Sequence, residues 1–186
     1  MSPKSTPAPS TTTRDRLLDA AEKLVVEHGA LALTLDAVAA EAGVSKGGLL
    51  YHFPSKDKLA AALVERAIAR VDSALAEASA NTTPGAFTRA YIQVTMGDAR
   101  TAKPGSDPLS TALLGALALD PTLLDPMRDA YSRWQARLEK DGIAPADATL
   151  VRLAVDGWWS SLVLGLPPVR PALLAQVRAR LDALAG

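Results

Sequence analysis

The sequence predicts an all-α protein of about nine helices, a three-helix head with a helix-turn-helix followed by a larger helical domain. Three observations predict it. Apolar residues recur at helical spacing nearly throughout, as at Leu17, Leu18, Ala21, Leu24 and Val25. No stretch sustains the alternation of Val, Ile and Thr that a half-buried strand requires. Pro84, Pro104, Pro121, Pro145 and the pair Pro167-Pro168 fall where the periodic segments stop.

The elements follow in order. Residues 1–11 are rich in Pro, Ser and Thr and bury too little apolar area to offset ordering entropy, so a disordered tail is expected. Thr12 can cap the first helix, with Asp15 three positions on and Gly29 as its stop. Thr34 caps a short helix from Leu35 to Ala42, and Gly43 breaks it. Ser45 caps another short helix from Lys46 to His52. Pro54 and Ser55 restart the chain into a long helix, Lys56 to Ser79, whose apolar set includes Leu59, Leu63, Ala67 and Val71. After Pro84-Gly85, further helices are expected at 86–101, 107–119, 122–140, 146–165 and 171–184. The domain organisation expected is a tail at 1–11, a head at 12–58 and a second domain at 59–186.

Composition narrows the function. The chain has 186 residues with 20 Lys+Arg against 20 Asp+Glu, so it is not a globally basic, histone-like binder. A local basic patch stays open, and that is the quantity that matters for nucleic acid. There is no cysteine, which excludes disulfides, thiolate metal sites and a cysteine nucleophile. Neither a secretion leader nor an apolar run of ~20 residues is present, so the expected setting is cytoplasmic, with no membrane partner. His28 and His52 are the only histidines and lack ligand spacing, so no metal site is expected. No P-loop, dinucleotide fingerprint, nucleophile elbow or zinc-protease motif occurs, so neither an enzyme nor a cofactor is expected. Asp125, Asp129 and Asp156 read as caps and exposed charges.

The informative segment is Thr34 to Lys58, TLDAVAAEAGVSKGGLLYHFPSKDK. Its two short helices, separated by Gly43-Val44-Ser45, have the dimensions of a helix-turn-helix. Val38, Ala39 and Ala42 are small enough for close packing, and Val44, Leu49 and Phe53 can seat the second helix on the core. Lys46, Gly47, Leu50 and Tyr51 are then left facing outward. In such a motif the second helix enters the major groove, and a lysine in its first turn can reach phosphate or guanine O6/N7. Gly47 and Gly48 allow close backbone approach, each at about 1 kcal/mol of helix propensity relative to Ala. Segment 43–58 carries three lysines and one aspartate, so basic charge is concentrated there. Arg14 and Arg16 could add phosphate contacts.

Thr34, Ala39, Ala42-Gly43-Val44-Ser45, Lys46-Gly47, Leu49, His52-Phe53, Ser55, Lys56 and Leu59 together resemble the DNA-binding domain of the TetR/AcrR family of bacterial repressors. The resemblance covers roughly residues 14–60. It implies a homodimer with two heads on double-stranded DNA, and a helical domain that binds a small-molecule effector. Thr34 resembles the residue that caps the second helix and touches phosphate. Lys46, Gly47 and Gly48, with Ser45 capping them, fall where the family meets base edges. Tyr51 and His52 fall where it meets bases and phosphates, and Lys56 resembles its phosphate anchor. Gly48 departs from the family's usual Thr or Ala, and Leu50 from its usual Tyr, which shifts readout toward Lys46, Tyr51 and DNA shape.

Six of the eight aromatic residues lie after residue 80, which points to an aromatic effector pocket there. Tyr91, Thr95, Met96, Leu113, Leu114, Met127, Tyr131, Trp134 and Trp158 are its candidate lining, and each reads equally as ordinary core. The segment 146–165 is apolar around most of its circumference, and the last helix has a stripe at Leu173, Leu174, Val177, Leu181 and Leu184. An isologous four-helix interface would cover both, with Val155, Trp159, Leu162, Leu174, Val177 and Leu181 as its candidates; the alternative is that both faces are used within one monomer. The expected function is a repressor released from a palindromic operator by a largely apolar effector. The alternative is a helix-turn-helix regulator whose C-terminal domain binds a protein partner.

Overall fold

The computed structural model describes residues 12–97 and 120–186. Among them are eight α-helices and two short 3-10 turns, with no strand. We number the helices α1 (Thr13–His28), α2 (Leu35–Ala42), α3 (Lys46–His52), α4 (Lys56–Ala78), α5 (Ala86–Met96), α6 (Asp125–Leu138), α7 (Pro145–Val163) and α8 (Pro171–Leu184). The tail at 1–11 and the helix expected at 107–119 lie outside the described residues.

The first four helices begin where the sequence predicts, and for the predicted reason. Thr12, Thr34, Ser45 and Ser55 each accept a backbone N–H three residues on, at 3.1 to 3.2 Å. Each bond satisfies one of the donors that a helix start leaves unpaired. Gly43 takes a left-handed conformation, φ +64°, and closes α2. Its N–H bonds to the Ala40 carbonyl and the next N–H to Ala39, a turn only glycine enters without strain.

Two later boundaries differ from expectation by three residues or more. α5 stops at Met96 rather than 101, because Gly97 leaves helical geometry with φ +44°. α6 starts at Asp125 rather than 122, because Asp120 caps Thr122 and holds Pro121–Leu124 in a 3-10 turn.

One apolar core runs through the described chain. In the head, Leu17, Leu18 and Ala21 of α1 meet Val38 of α2, Leu49 and Phe53 at α3, and Leu59 and Leu63 of α4. Each fully buried Leu or Phe removes enough apolar area for roughly 1.5–3 kcal/mol. α4, 23 residues and about 34 Å long, carries the core onward. Its first half packs on α1, and it also packs on α5 and α6. Leu75, Phe87, Ile92, Trp134, Leu138, Val151 and Val155 fill the second half of the core.

Ion pairs add to the apolar α1–α4 contact. Arg66 reaches Asp19 and Glu22 at 2.7 Å each, and Arg70 reaches Glu22 at 2.9 Å. Only 14% of the Arg66 side chain is exposed, so this network is less screened than an ordinary surface pair. Behind it, Asp141 holds the start of α5. Its carboxylate accepts the N–H groups of Phe87 and Thr88 at 3.0 and 2.7 Å, and the Thr88 hydroxyl at 2.7 Å.

Candidate nucleic-acid interface

α3 has two faces with opposite fates. Leu49 and Phe53 are buried and anchor it. Lys46, Gly47, Leu50 and Tyr51 face outward, and Tyr51 is 85% exposed. A tyrosine with that much free surface is not holding the core. Its ring meets the His52 ring edge-on at 5.2 Å, and His52 itself is half-buried. Lys46, at the first turn of α3, lies 2.8 Å from a carboxylate oxygen of Asp36 on α2. Thr34 and Ser45 are exposed beside these groups, with their hydroxyl oxygens occupied as caps. Lys56 opens α4 and is half-buried.

The two glycines of α3 are not equivalent. A Cβ on Gly47 would meet nothing within 4 Å. A Cβ on Gly48 would come 2.9 Å from Val44 Cγ1 and 3.3 Å from Ser45 Oγ. Gly47 leaves the outer face open, while Gly48 lets the turn close on the helix.

The two arginines of α1 are engaged within the head. Arg16 donates to the Ala42 carbonyl at 2.7 Å, at the end of α2. The Arg14 guanidinium lies 5.4 Å from the Phe53 ring centroid. Neither contact is visible in the sequence, because both cross more than twenty residues.

In the second half, Tyr91, Met96, Met127 and Trp134 are buried, and Thr95, Tyr131 and Trp158 are half-buried. Leu113 and Leu114 lie outside the described residues. Three aromatic rings cluster, with Trp134 5.1 Å from Tyr131 and 6.3 Å from Tyr91 between centroids. Separations in that range suit edge-to-face and tilted contacts. The Trp134 indole N–H donates to Asp72 of α4 at 2.7 Å.

Asp156 corrects an expectation. It is not an exposed charge: its side chain is 17% exposed and bonded on both oxygens. Tyr91 donates its hydroxyl at 2.6 Å and Arg152 its guanidinium at 2.9 Å. Burial raises the Asp156 carboxyl above its ordinary range, against the opposing pull of Tyr91 and Arg152. Burial likewise raises the Tyr91 hydroxyl, and pushes that of Tyr131 up to about 12. The i, i+4 spacing of Arg152 and Asp156 is the one signal in the sequence that could have found this pair.

On the last two helices, Val155 and Leu181 lie in the chain's own core. Trp159, Leu162 and Leu174 are half-buried, and Val177 is exposed. Val155 sits inside because that stripe of α7 packs on α5. The apolar surface left open lies on the opposite side and its continuation, at Leu150, Leu153, Leu173, Val177 and Leu184. No helix among the described residues is long and apolar enough to cross a membrane.

Known proteins share this arrangement. Residues 17–63 match the family model of bacterial regulatory proteins of the tetR family. Residues 85–186 match the tetracyclin repressor-like C-terminal domain. An uncharacterized HTH-type transcriptional regulator, TtgW of Pseudomonas putida, is 39% identical over 64 residues. That alignment covers 34% of this chain and spans about half, 48%, of the relative. The crystal structure of the multidrug binding protein EbrR complexed with imidazole superposes with a TM-score of 0.61 at 27% identity, over 91% of this chain and 94% of that one. A transcriptional regulator from Rhodococcus sp. Rha1 superposes with a TM-score of 0.72 over 94% of this chain and 95% of its own, and at 22% identity it shows the fold alone. The C-terminal match by itself takes in more than half of the sequence and begins where α4 hands over to α5, while the N-terminal match frames the outward face of α3: the chain belongs to the TetR family of bacterial transcriptional regulators.

Proposed function

We propose that this regulator is a cytoplasmic repressor that binds a palindromic operator as a homodimer and leaves it when a small, largely apolar effector occupies the second half. The exposed Tyr51, set beside Lys46 on a helix whose other face is buried, carries the reading. Thr34, Ser45, Gly47, Gly48, His52 and Lys56 complete the DNA-binding surface in this proposal. Tyr91, Tyr131, Trp134, Met96, Met127, Thr95 and Trp158 supply the effector's apolar and aromatic surroundings. EbrR, by its description a multidrug binding protein, supports a role for that half in taking up small molecules. Effector binding can move the heads only through differential affinity for two conformers. α4, which touches α1, α5 and α6, is the element suited to transmit it. The exposed apolar residues of α7 and α8 are proposed to meet their copies across a two-fold axis.

Fluorescence anisotropy against DNA flanking the protein's own gene tests the proposal, with scrambled DNA and a Lys46→Ala/Tyr51→Ala variant as controls. The expected result is binding at least ~10³-fold tighter to the flanking DNA than to scrambled DNA, lost in the variant. Equal affinity for both DNAs, unchanged in the variant, overturns it.

A further inference from the structure

We infer that Asp36 is a positioning residue that sets DNA specificity by holding Lys46. The inference rests on the DNA-binding reading and goes beyond it.

The geometry is a two-point contact: Lys46 Nζ lies 2.8 Å from Oδ1 of Asp36 and 3.1 Å from Oδ2. Both side chains are well exposed, 61% and 72%. An exposed pair of this kind contributes little to folding. It does decide what the outer face of the motif presents. Lys46 is the one Lys or Arg in α3, whose sequence is KGGLLYH. Paired with Asp36, it offers a phosphate no net charge.

Several neighbouring cations already have partners. Arg16 holds the Ala42 carbonyl, Lys23 pairs with Glu41 at 2.6 Å, and Arg66 and Arg70 pair with Asp19 and Glu22. Residues 12–58 carry six Lys and Arg against seven Asp and Glu, so the head as a whole attracts phosphate weakly. The state of Lys46 therefore has a large share in what attraction remains.

Non-specific binding comes almost wholly from phosphate neutralisation and counterion release. A matched site can draw Lys46 off Asp36 with base-edge acceptors as well as phosphate. A mismatched site has only phosphate to offer against a carboxylate already in contact. Asp36 thus weakens every complex, and weakens the wrong ones most. It is a repulsive element that produces discrimination, placed on α2 rather than on the reading helix itself.

The test uses the full chain and a random-sequence duplex, so no operator need be known. Asp36→Asn keeps the shape and removes the charge. We expect Asp36→Asn to bind this duplex about 3- to 10-fold tighter at low salt. The slope of log K against log salt should steepen by about 0.9, the value of one added phosphate contact. In a Lys46→Ala background the same substitution should leave both quantities unchanged, which separates holding of Lys46 from direct repulsion of DNA by the carboxylate. An unchanged slope in Asp36→Asn overturns the inference, and so does a gain that survives in the Lys46→Ala background. If the wild-type chain shows no salt-dependent binding to any duplex, the DNA-binding reading itself falls and the inference with it.

Discussion

The head and the domain behind it start their helices by opposite means. In the head, every helix is capped by the residue just before it: Thr12, Thr34, Ser45 and Ser55. Among the described helices of the second domain, none has such a cap. α5 follows a glycine and receives its cap from Asp141, more than fifty residues on in the chain. α6, α7 and α8 begin with proline in their first turn, which removes a donor instead of satisfying it. One half is assembled from local instructions, and the other depends on parts that meet only after the chain has folded. The difference bears on how each half responds to substitution.

The largest effect is expected where local instruction meets the core. Phe53→Ala removes a fully buried ring at the end of α3 and deprives Arg14 of the surface it lies over. A loss of about 3–5 kcal/mol is expected in chemical denaturation. Circular dichroism together with a separate probe in the second domain would show whether the head melts first. Coincident melting of both halves would break the comparison, because the shared core would then dominate over local assembly.

A smaller effect is expected at the non-local cap. Asp141→Ala frees two backbone donors and strands the buried Thr88 hydroxyl. The cost should be about 2 kcal/mol, read from the urea midpoint at constant slope. A cost under about 0.5 kcal/mol would show that α5 needs no help to start, which would erase the contrast with the head.

The smallest effect on folding is expected at the open apolar face. Leu153→Glu with Val177→Glu places charge on side chains the single chain leaves exposed. Monomer stability should change by no more than about 0.5 kcal/mol per site. Sedimentation should nevertheless show loss of the proposed dimer, because an unpaired carboxylate would be carried into its buried interface. Unchanged sedimentation would move the interface elsewhere.

The same contrast accounts for what is legible in the sequence. The bounds of α1 to α4 can be read because caps and glycine stops sit within a few residues of the structure they determine. The outward set Lys46, Gly47 and Tyr51 follows from Leu49 and Phe53, since helical spacing leaves only one other side. Asp156 reads as an exposed charge in the sequence because its partner Tyr91 is on another helix, 65 residues away. Val155 and Leu181 read as subunit-interface residues because apolar periodicity marks a buried face without saying which neighbour covers it. The Lys46–Asp36 pair is hidden for a similar reason, as ten residues and a turn separate the two charges.

The unequal surroundings of Gly47 and Gly48 have a practical consequence for changing which DNA the protein reads. At position 47 a Cβ meets no neighbour within 4 Å, and a non-glycine residue there would also recover helix propensity. At position 48 a Cβ would come 2.9 Å from Val44 Cγ1, so that side chain must shift, and 3.3 Å from the Ser45 hydroxyl that caps the helix. A retargeting library built on this scaffold would therefore randomise 47 together with 51 and hold 48 fixed, placing its diversity on the face proposed to meet bases while leaving the packing of the turn on the helix intact.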